Sequence, residues 1–432
     1  MLTVTNLIHM GDFELKNAIK EMLAQFHSAQ LPDIIPRDIS FSGFKKVNKV
    51  IVVIGPRRAG KTFVLYQLIK GLLDAGQQLK AIVYLNFENE RLAELKAGQL
   101  GLILTAYTEL YGEGKPSLFL DEIQNVTGWE QFVRGLNDGG YKVYVSGSNS
   151  KLLSREIATA LRGREYPIQV LPFSFKEFIR VKGIRLEKGW EFGPIKTKVK
   201  KAFDEYAALS GFPEIVLENR LEFVDQYFKT MLFQDIIERY RISNTDLMRL
   251  FMQFLARQYG GDYSINKFNN FAKSSSYKSS TSTVQKYSKI VEDIYFCFFL
   301  KARQKSFKKE SSYLKKAYLF DHGFINYYNT DKSLGRLLEN IVAIELVRRN
   351  EAQLNYYTNG FECDFITKEN SIQVCHTINE ENRKREVNGL MEACRKFGNR
   401  PVLITYDQET EFDGARAVPI WKWLLEEKGR VG

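Results

Sequence analysis

The amino-terminal part of the chain alternates short apolar runs with segments of helical periodicity. The runs are rich in β-branched and aromatic residues, and most are continuous rather than alternating with polar positions. Strands that are apolar on both sides are typical of a parallel sheet covered by helices on both faces. We therefore predict an α/β domain, with strands at residues 49–54, 80–87, 117–120, 141–147 and 166–171.

The rest of the chain is predicted to be mostly helical, with strands in two further segments. An amphipathic helix is predicted at about residues 13–29, and residues 173–245 show helical periodicity with one sharp turn, "SGFPEIV". Residues 246–320 are predicted to form three helices and a hairpin. Residues 333–425 are predicted to form a helix, strands, a second helix and a last strand.

Composition argues against a membrane protein and against a cysteine-based site. Of the 432 residues, 44% are hydrophobic and 26% are charged, which is ordinary for a globular protein. The longest apolar run, residues 294–300, is far too short to cross a bilayer, and no signal pattern precedes it. The four cysteines and four histidines show neither metal-binding nor disulfide spacing. We expect buried thiols in a cytoplasmic protein with no membrane partner.

Positive charge is concentrated in one segment. The chain carries 62 basic and 51 acidic side chains, a formal net charge of +11. Residues 257–316 alone hold 13 basic and 4 acidic side chains, so most of the excess is local. A concentrated basic segment is the electrostatic footprint of a nucleic-acid contact, with a solvated loop or an acidic protein partner as the alternatives.

The sequence "GPRRAGKT" matches the phosphate-loop pattern GxxxxGK[ST]. It directly follows the strand at 49–54 and precedes an amphipathic helix, which is the context that the pattern requires. In such a loop backbone amides wrap the phosphates, while Lys61 reaches the terminal phosphates and Thr62 offers its hydroxyl to Mg²⁺. The predicted nucleotide-binding residues are Gly55, Pro56, Arg57, Arg58, Ala59, Gly60, Lys61, Thr62 and Phe63.

An acidic pair closes the third predicted strand. "SLFLDEIQ" ends in Asp121 and Glu122. Asp121 is predicted to hold Mg²⁺ together with Thr62, and Glu122 to orient and polarise the attacking water, so the pair indicates hydrolysis rather than binding alone. No NKxD guanine-reading motif follows the sheet and no DxxG motif lies on the acidic strand, which favours ATP over GTP.

Further polar groups follow the fourth strand. In "VSGSNS", Ser148 or Asn149 is a candidate sensor of the terminal phosphate, with a purely structural turn as the alternative. "LRGREYP" places Arg162 and Arg164 just ahead of the fifth strand. The order of phosphate loop, acidic pair, polar sensor and arginine resembles that of AAA+ ATPases.

This resemblance implies an arginine finger. Arg164 matches the finger position best and Arg162 is the second choice, so Arg164 is expected to complete the ATP site of a neighbouring copy of the chain. Self-association is the expected consequence. A structural, salt-bridged Arg164 is the alternative.

The resemblance extends over nearly the whole chain after the first 40 residues. "FLDEIQNVTGWE", "VSGSNSKLLS", "LRGREYPIQVLPFSFKEF" and "LSGFPEIV" resemble the mostly prokaryotic and archaeal AAA-type ATPases that carry a winged-helix segment and a restriction-endonuclease-like domain. The implied fold is α/β, with a P-loop AAA+ parallel-sheet domain and a carboxy-terminal α/β domain. Its parts are an amino-terminal helix and linker (1–40), the AAA+ ATPase core (41–172), a helical lid (173–245), a winged helix (246–325) and a restriction-endonuclease-like domain (326–432).

The third helix of the basic segment is the predicted DNA reader. Its apolar residues recur at helical spacing, which leaves Lys286 and Lys289 facing outward. The hairpin after it carries Lys308 and Lys309 near its tip, where a wing would contact phosphates. We expect these four lysines to bind DNA with weak sequence preference. A winged helix used only for protein packing is the alternative.

The restriction-endonuclease fold cuts DNA with an aspartate on one strand, an acidic residue on the next and a lysine two positions later. Glu339 on the leading helix and Asp364 in "CDFI" match the pattern. The next strand, "SIQVC", has Gln373 and Cys375 at the positions of the second acid and the lysine. An amide is a poor ligand for a hard cation, and a thiol supplies no fixed positive charge. We therefore predict a nuclease fold retained as a scaffold or DNA cradle, without cleavage.

Together these features predict a magnesium-dependent ATPase whose nucleotide state is coupled to DNA binding. ATP and Mg²⁺ are the expected cofactors, and DNA and further copies of the chain are the expected partners. The alternative is a STAND-like signalling switch that turns over slowly and recruits a protein partner through the basic segment.

Overall fold

A computed structural model divides the chain into two compact units, Met1–Val170 and Leu171–Gly432. No helix within the described ranges combines the length and the apolar character needed to cross a membrane. The structure describes residues 11–39, 48–147, 161–303, 314–351, 353–412 and 414–426.

The first unit contains a five-stranded parallel sheet. Its strands are β1 (Val50–Ile54), β2 (Ile82–Asn86), β3 (Ser117–Asp121), β4 (Val143–Gly147) and β5 (Glu165–Gln169). They lie in the order β2-β3-β4-β1-β5, and every neighbouring pair is parallel. β1, β3 and β4 are buried at every position, as their continuous apolar runs indicate. The predicted parallel α/β sheet is confirmed.

Helices cover both faces of this sheet. They are α1 (Asp12–Ser28), α2 (Lys61–Asp74), α3 (Leu102–Tyr111) and α4 (Glu130–Asp138). Alternate residues of β1 point to opposite faces, so Val52 packs in a cluster with residues of α1 and α3, whereas Val53 packs with residues of α2. Both faces of the sheet are therefore buried, and functional side chains can reach solvent only at strand ends and loops.

β4 separates the two strands that carry the predicted chemistry. The phosphate loop follows β1, and the acidic pair stands at the end of β3, with β4 paired to both strands. The carboxyl ends of parallel strands meet at one edge of a sheet, so a polar residue near the end of β4 lies between the loop and the acids.

The second unit begins with helices, as predicted for residues 173–245. These are α5 (Phe175–Val181), α6 (Pro194–Ala208), α7 (Pro213–Glu218), α8 (Phe223–Thr230) and a π-helical segment, Met231–Glu238. The turn before α7 is held by Asp321, which accepts hydrogen bonds from Ser210 Oγ at 2.7 Å and Gly211 N at 2.8 Å. A Cβ on Gly211 would lie 2.8 Å from the carbonyl oxygen of Phe173, so a larger residue would push this turn apart.

Three helices and a small antiparallel sheet follow. They are α9 (Thr245–Arg257), β6 (Gly261–Tyr263), α10 (Ile265–Ser274), α11 (Thr281–Asp293), β7 (Cys297–Leu300) and β8 (Lys315–Leu319). β8 is central and pairs antiparallel with β6 and β7. The sequence predicted the helices and the β7–β8 hairpin but missed β6, because three residues are too few for a periodic signal.

The last part of the chain is a second α/β arrangement. It contains α12 (Gly323–Tyr328), α13 (Leu334–Arg348), β9 (Asn355–Thr358), β10 (Glu362–Ile366), β11 (Asn370–Val374), α14 (Glu380–Phe397), β12 (Arg400–Thr405), β13 (Glu411–Phe412), β14 (Ala415–Pro419) and α15 (Ile420–Trp423). Its sheet has the order β13-β14-β12-β11-β10-β9 and is mixed, with β10 antiparallel to β11 and β11 parallel to β12. The four cysteines are free and buried, as expected.

Candidate functional site

The phosphate loop has a backbone that glycine makes possible. A Cβ on Gly55 would lie 1.9 Å from the carbonyl oxygen of Val170, so no other residue fits this position without moving the chain. Gly60 adopts a φ of 92° and precedes the first residue of α2. Arg58 also has a positive φ, 63°. Arg37 supports the turn from outside, because its Nη1 donates to the carbonyl oxygen of Ala59 at 2.7 Å.

Lys61 is folded back over the loop. Its Nζ donates to the carbonyl oxygen of Pro56 at 3.1 Å and lies 3.5 Å from Glu122 Oε1. The side chain is only 4% exposed. The Lys61 ammonium group contacts one carbonyl and one carboxylate inside the loop. When a nucleotide binds, it could donate hydrogen bonds to phosphate oxygens instead.

Asp121 is the most enclosed acidic group of this site. Its Oδ2 accepts hydrogen bonds from Thr62 Oγ1 at 2.8 Å and Tyr84 OH at 3.0 Å, and its Oδ1 accepts from the Ser146 hydroxyl. Burial raises the pKa of Asp121, and the hydrogen bonds from Ser146 and Thr62 oppose that rise. The loop and the acidic strand are therefore joined by the Thr62 to Asp121 hydrogen bond.

Glu122 stands in a left-handed backbone conformation, with a φ of 52°. Its backbone N–H donates to Ser146 Oγ at 3.0 Å, and Gln124 Nε2 donates to its carboxylate. Together with the contact to Lys61, these bonds hold the carboxylate at the mouth of the phosphate loop. A positive φ outside glycine is uncommon and is found most often where function constrains the backbone.

Arg57, Arg58 and Phe63 are less buried than Lys61 and Asp121. Arg57 lies 3.7 Å from Glu88, whose pKa is raised first by burial and then by the nearby Glu122 carboxylate. Arg58 and Phe63 are exposed, Phe63 by 45%. The exposed Arg58 and Phe63 side chains are accessible to a ligand.

Sequence reasoning missed Ser146, Tyr84 and Arg37. Ser146 was detectable as the polar residue that interrupts the apolar strand "VYVSG". Nothing in the sequence pairs Tyr84 with Asp121 or Arg37 with Ala59, because each contact joins distant segments. The proposed sensors Ser148 and Asn149 lie outside the described residues.

Arg164 does not face the phosphate loop of its own chain. Its carbonyl oxygen accepts from Val50 N at 2.8 Å, which places it beside the amino end of β1, whereas the loop follows the carboxyl end. Five residues of strand separate the two ends, about 16 Å. The Arg164 guanidinium lies 2.7 Å from Asp138 at the end of α4, and Arg162 is exposed with a φ of 50°.

The four residues predicted to form a degenerate nuclease site line one polar cleft in the second unit: Glu339, Asp364, Gln373 and Cys375. Glu339 on α13 and Asp364 on β10 lie on either side of Lys316, at 3.1 and 3.3 Å from its Nζ. Gln373 accepts weakly from Asp364 N at 3.3 Å and donates to Glu386 Oε2 at 2.7 Å.

Cys375 is buried next to this cleft, and burial raises the pKa of its thiol to about 12. A thiol with such a pKa stays neutral. Within the described ranges, no group of three or more His, Cys, Asp or Glu side chains is arranged to hold a metal ion.

The helix for which DNA reading is predicted is α11. Its residues Val284, Tyr287 and Val291 are buried, and Lys286 and Lys289 are exposed, which confirms the predicted orientation of the helix. Lys308 and Lys309 lie outside the described residues.

Comparison with known proteins identifies the first unit. The family model described as "AAA domain" matches residues 47–179, which contain the phosphate loop, the acidic pair and Arg164. The first unit is therefore an AAA-type P-loop domain. Residues 200–334 match a "Domain of unknown function (DUF8612)".

The uncharacterized protein MJ1544 of Methanocaldococcus jannaschii is 35% identical over 428 residues, which cover 94% of each chain. The chain belongs to the family of MJ1544. An uncharacterized protein of Haemophilus influenzae is 30% identical over 404 residues, which cover 89% of this chain and 96% of that protein. The similarity in both cases spans the AAA domain and the second unit together.

Two solved structures show a more distant likeness. The Walker-type ATPase paby2304 of Pyrococcus abyssi has a TM-score of 0.42 at 14% identity, and covers 69% of this chain and 99% of its own. Cdc6p from Pyrobaculum aerophilum has a TM-score of 0.25 at 15% identity, and covers 68% of this chain and 93% of its own. Neither likeness is close enough to carry an argument about function.

Proposed function

We propose that the chain binds and hydrolyses ATP with Mg²⁺ and couples its nucleotide state to DNA binding by the second unit. The observation that carries the ATPase part is the 2.8 Å hydrogen bond from Thr62 to Asp121, which joins the helix end of the phosphate loop to the acidic strand. Binding alone needs only the loop. Hydrolysis needs the acids beside it, and here they are in contact.

The residues of this site fit the proposed ligands. The loop from Gly55 to Gly60 is open to a close approach of phosphate because its glycines carry no side chain. Lys61 would bind phosphate oxygens, and Thr62 and Asp121 offer oxygen ligands to Mg²⁺. When bound, Mg²⁺ neutralises charge that develops on the transferred phosphoryl group. Glu122 would take the proton of the attacking water.

The ATPase proposal is tested with two variants at adjacent contacts. Lys61→Ala is expected to weaken nucleotide binding by about 10- to 100-fold, because a charge-assisted contact made in the ground state is lost. Glu122→Gln is expected to bind nucleotide normally and to lose turnover by about 10²- to 10⁴-fold. Nucleotide affinity is measured by calorimetry and turnover by phosphate release. Equal affinity in wild type and Lys61→Ala would overturn the assignment.

Arg164 is proposed to act on the ATP site of a neighbouring copy. The support is its position at the opposite end of β5 from its own phosphate loop, with a partly exposed guanidinium held by Asp138. Mixing an Arg164→Ala subunit with an Asp121→Ala subunit should restore part of the activity, because one interface keeps an intact site and an intact finger. Arg162→Ala serves as the matched control.

If subunits mix and no activity returns, Arg164 has a structural role instead, as its ion pair with Asp138 already suggests. Sizing the protein with and without a non-hydrolysable ATP analogue establishes whether copies associate at all.

The DNA-binding part rests on the arrangement of α9, α10 and α11 with the small sheet β6-β8-β7. Three helices and a β7–β8 hairpin, in which β8 also pairs with the short strand β6, match the pattern expected of a winged helix, and α11 presents Lys286 and Lys289 to solvent. These lysines would contact phosphates rather than bases.

Charge reversal tests this surface. Lys286→Glu with Lys289→Glu should weaken duplex DNA binding at least tenfold at moderate salt and leave ATP affinity unchanged. Lys198→Glu with Lys201→Glu reverses two exposed lysines of α6 and is the matched control for net charge. Adding Lys308→Glu and Lys309→Glu should remove the remaining affinity. Equal loss in the control pair would mean that only overall charge matters.

The carboxy-terminal α/β part is proposed to be a nuclease fold without cleavage. The support is the chemistry of β11, where Gln373 and Cys375 replace an acid and a lysine. Incubation with supercoiled and linear DNA in Mg²⁺ or Mn²⁺ is the test. Cleavage that disappears in Asp364→Ala would contradict the proposal.

A slowly turning switch with a protein partner is the second candidate function. The specific observation in its favour is that Glu122 is held by Lys61 and Gln124 rather than facing an open position. In a switch, nucleotide would be retained through purification and turnover would stay slow with DNA present. DNA-stimulated turnover would exclude this candidate.

A further inference from the structure

The buried Lys316 forms ion pairs with Glu339 and Asp364, two carboxylates that line a cleft in the second unit. The cleft encloses about 580 Å³ and is lined by carboxylates, arginines and amides, including Glu362, Gln373 and Glu386. Lys316 on β8 contacts three of the carboxylates that line it, and its own side chain is only 4% exposed. A buried ammonium group is stable only when it is paired, and this one has three acidic partners.

The ammonium group of Lys316 contacts three carboxylates. Its Nζ lies 2.5 Å from Glu362 Oε1, 3.1 Å from Glu339 Oε1 and 3.3 Å from Asp364 Oδ1. Tyr318 OH donates to the same oxygen of Glu339 at 2.6 Å. Three carboxylates within contact distance offset the cost of burying the Lys316 ammonium group.

The carboxylate oxygens that contact Lys316 are of the kind that could serve as ligands of a divalent cation. Glu339 and Asp364 come from α13 and β10, and Lys316 Nζ contacts an oxygen of each. The other oxygen of Asp364 accepts from Val374 N at 2.9 Å. A divalent cation bound by Glu339 and Asp364 would have to displace the Lys316 ammonium group, or lie in contact with that positive charge.

Glu386, another carboxylate that lines the cleft, is also paired within the chain. Glu386 accepts from Gln373 at 2.7 Å and contacts the Arg385 guanidinium through its other oxygen. Glu386 thus brings a carboxylate close to the position where β11 lacks one, but both of its oxygens already have partners. No carboxylate of this set is left without a cation or an amide donor.

We infer that Lys316 is a built-in counter-ion that takes the place of a divalent metal ion between Glu339 and Asp364. With Lys316 in place these carboxylates are not available to a metal ion, and removing the lysine is expected to free them. This inference rests on the nuclease-like arrangement proposed above. It does not depend on ATP hydrolysis or DNA binding, which are measured separately by phosphate release and gel shift.

The inference is tested by titrating Mn²⁺ into nucleotide-free protein. The Asp121→Asn variant is used as the background, so that the ATP site contributes no metal binding. In this background Lys316→Ala should gain one Mn²⁺ site, bound at least tenfold more tightly than any site in the background protein. Adding Asp364→Asn should abolish the gain. Lys315→Ala changes the neighbouring lysine on β8 and should gain nothing.

A second comparison decides the matter even if Lys316→Ala does not fold. With Lys316 intact, the background protein and its Asp364→Asn derivative should give superimposable Mn²⁺ isotherms, because the ammonium group already fills the site. Loss of a site on the Asp364→Asn change would overturn the inference. So would a folded Lys316→Ala protein that binds no more Mn²⁺ than the background.

Discussion

Asp121 and Asp364 are both aspartates on apolar strands, and both are almost fully buried, at 0% and 4% exposure. Their partners differ in kind. Asp121 is surrounded by hydroxyl groups from Thr62, Ser146 and Tyr84. Asp364 has an ammonium group and a backbone amide. Burial raises the pKa of both carboxyl groups, so the difference lies in which groups stabilise the charged form.

This difference separates a site that can accept a cation from one that already has one. Hydroxyl groups orient a carboxylate without cancelling its charge, and they can remain as neighbours or ligands when Mg²⁺ binds. An ammonium group cancels the charge and occupies the space. The same residue type on two buried strands is therefore expected to bind a cation in one unit and to stabilise the fold through an ion pair in the other.

The largest effect is expected from Lys316→Met, which leaves three carboxylates facing one another without their cation. Removing one partner of a buried ion pair costs about 3–5 kcal/mol of folding stability. Urea unfolding followed by the fluorescence of the buried Trp421 and Trp423 reports on this unit. Lys315→Met is the control and should change the free energy of unfolding by less than about 1 kcal/mol. Equal values for the two variants would mean that the Lys316 contacts do not stabilise the unit.

The second-largest effect is expected on the rate of ATP hydrolysis. Asp121→Asn should reduce ATP hydrolysis about 10²- to 10³-fold, because a neutral amide replaces the charged oxygen ligand of Mg²⁺. Asp364→Asn is the matched change in the second unit and should leave turnover per bound nucleotide within about twofold. A comparable loss in Asp364→Asn would show that the two regions are coupled through catalysis.

The sequence predicted those parts of the molecule that are local in the chain. The phosphate loop, the acidic pair and the strand positions follow from short motifs and from apolar runs, and the structure places Thr62 and Asp121 in contact. The family match at residues 47–179 supports the same domain. Local patterns also predicted which face of α11 is buried.

The parts that were missed depend on contacts between distant segments. Lys316 precedes Asp364 by 48 residues, and nothing in "LKKAYLF" shows that one of its two lysines is buried. The sequence of β11 shows Gln373 and Cys375 where the predicted nuclease pattern has an acid and a lysine. It does not show that Lys316 contacts Asp364, or that Glu386 contacts Gln373, because both come from other elements. β6 escaped detection because it is formed by pairing with β8 rather than by its own composition.

A smaller effect on catalysis is expected from Ser146→Ala. The Ser146 hydroxyl donates to Asp121 and accepts from the backbone N–H of Glu122, so it positions both acids at once. Losing it leaves the Glu122 N–H without that partner and should cost about 1–2 kcal/mol, seen as a roughly 10-fold lower turnover with little change in nucleotide affinity. Ser146→Thr, which keeps the hydroxyl, should recover part of the loss. No recovery would point to packing rather than positioning.

The smallest effect is expected from Tyr84→Phe, which removes one of the two hydroxyl groups on Asp121 Oδ2 and leaves Thr62 in place. A single hydrogen bond to a carboxylate that keeps other donors should contribute about 1 kcal/mol, a roughly fivefold change in turnover. Burial, and then the Asp121 charge, raise the pKa of Tyr84, so the phenol stays protonated and keeps donating in neutral and mildly alkaline solution. The ratio of wild-type to variant turnover should therefore be constant from about pH 6 to pH 9. A ratio that falls towards one as the pH rises would mean that the phenol ionises in this range, and that Asp121 depends on its other hydroxyl partners alone.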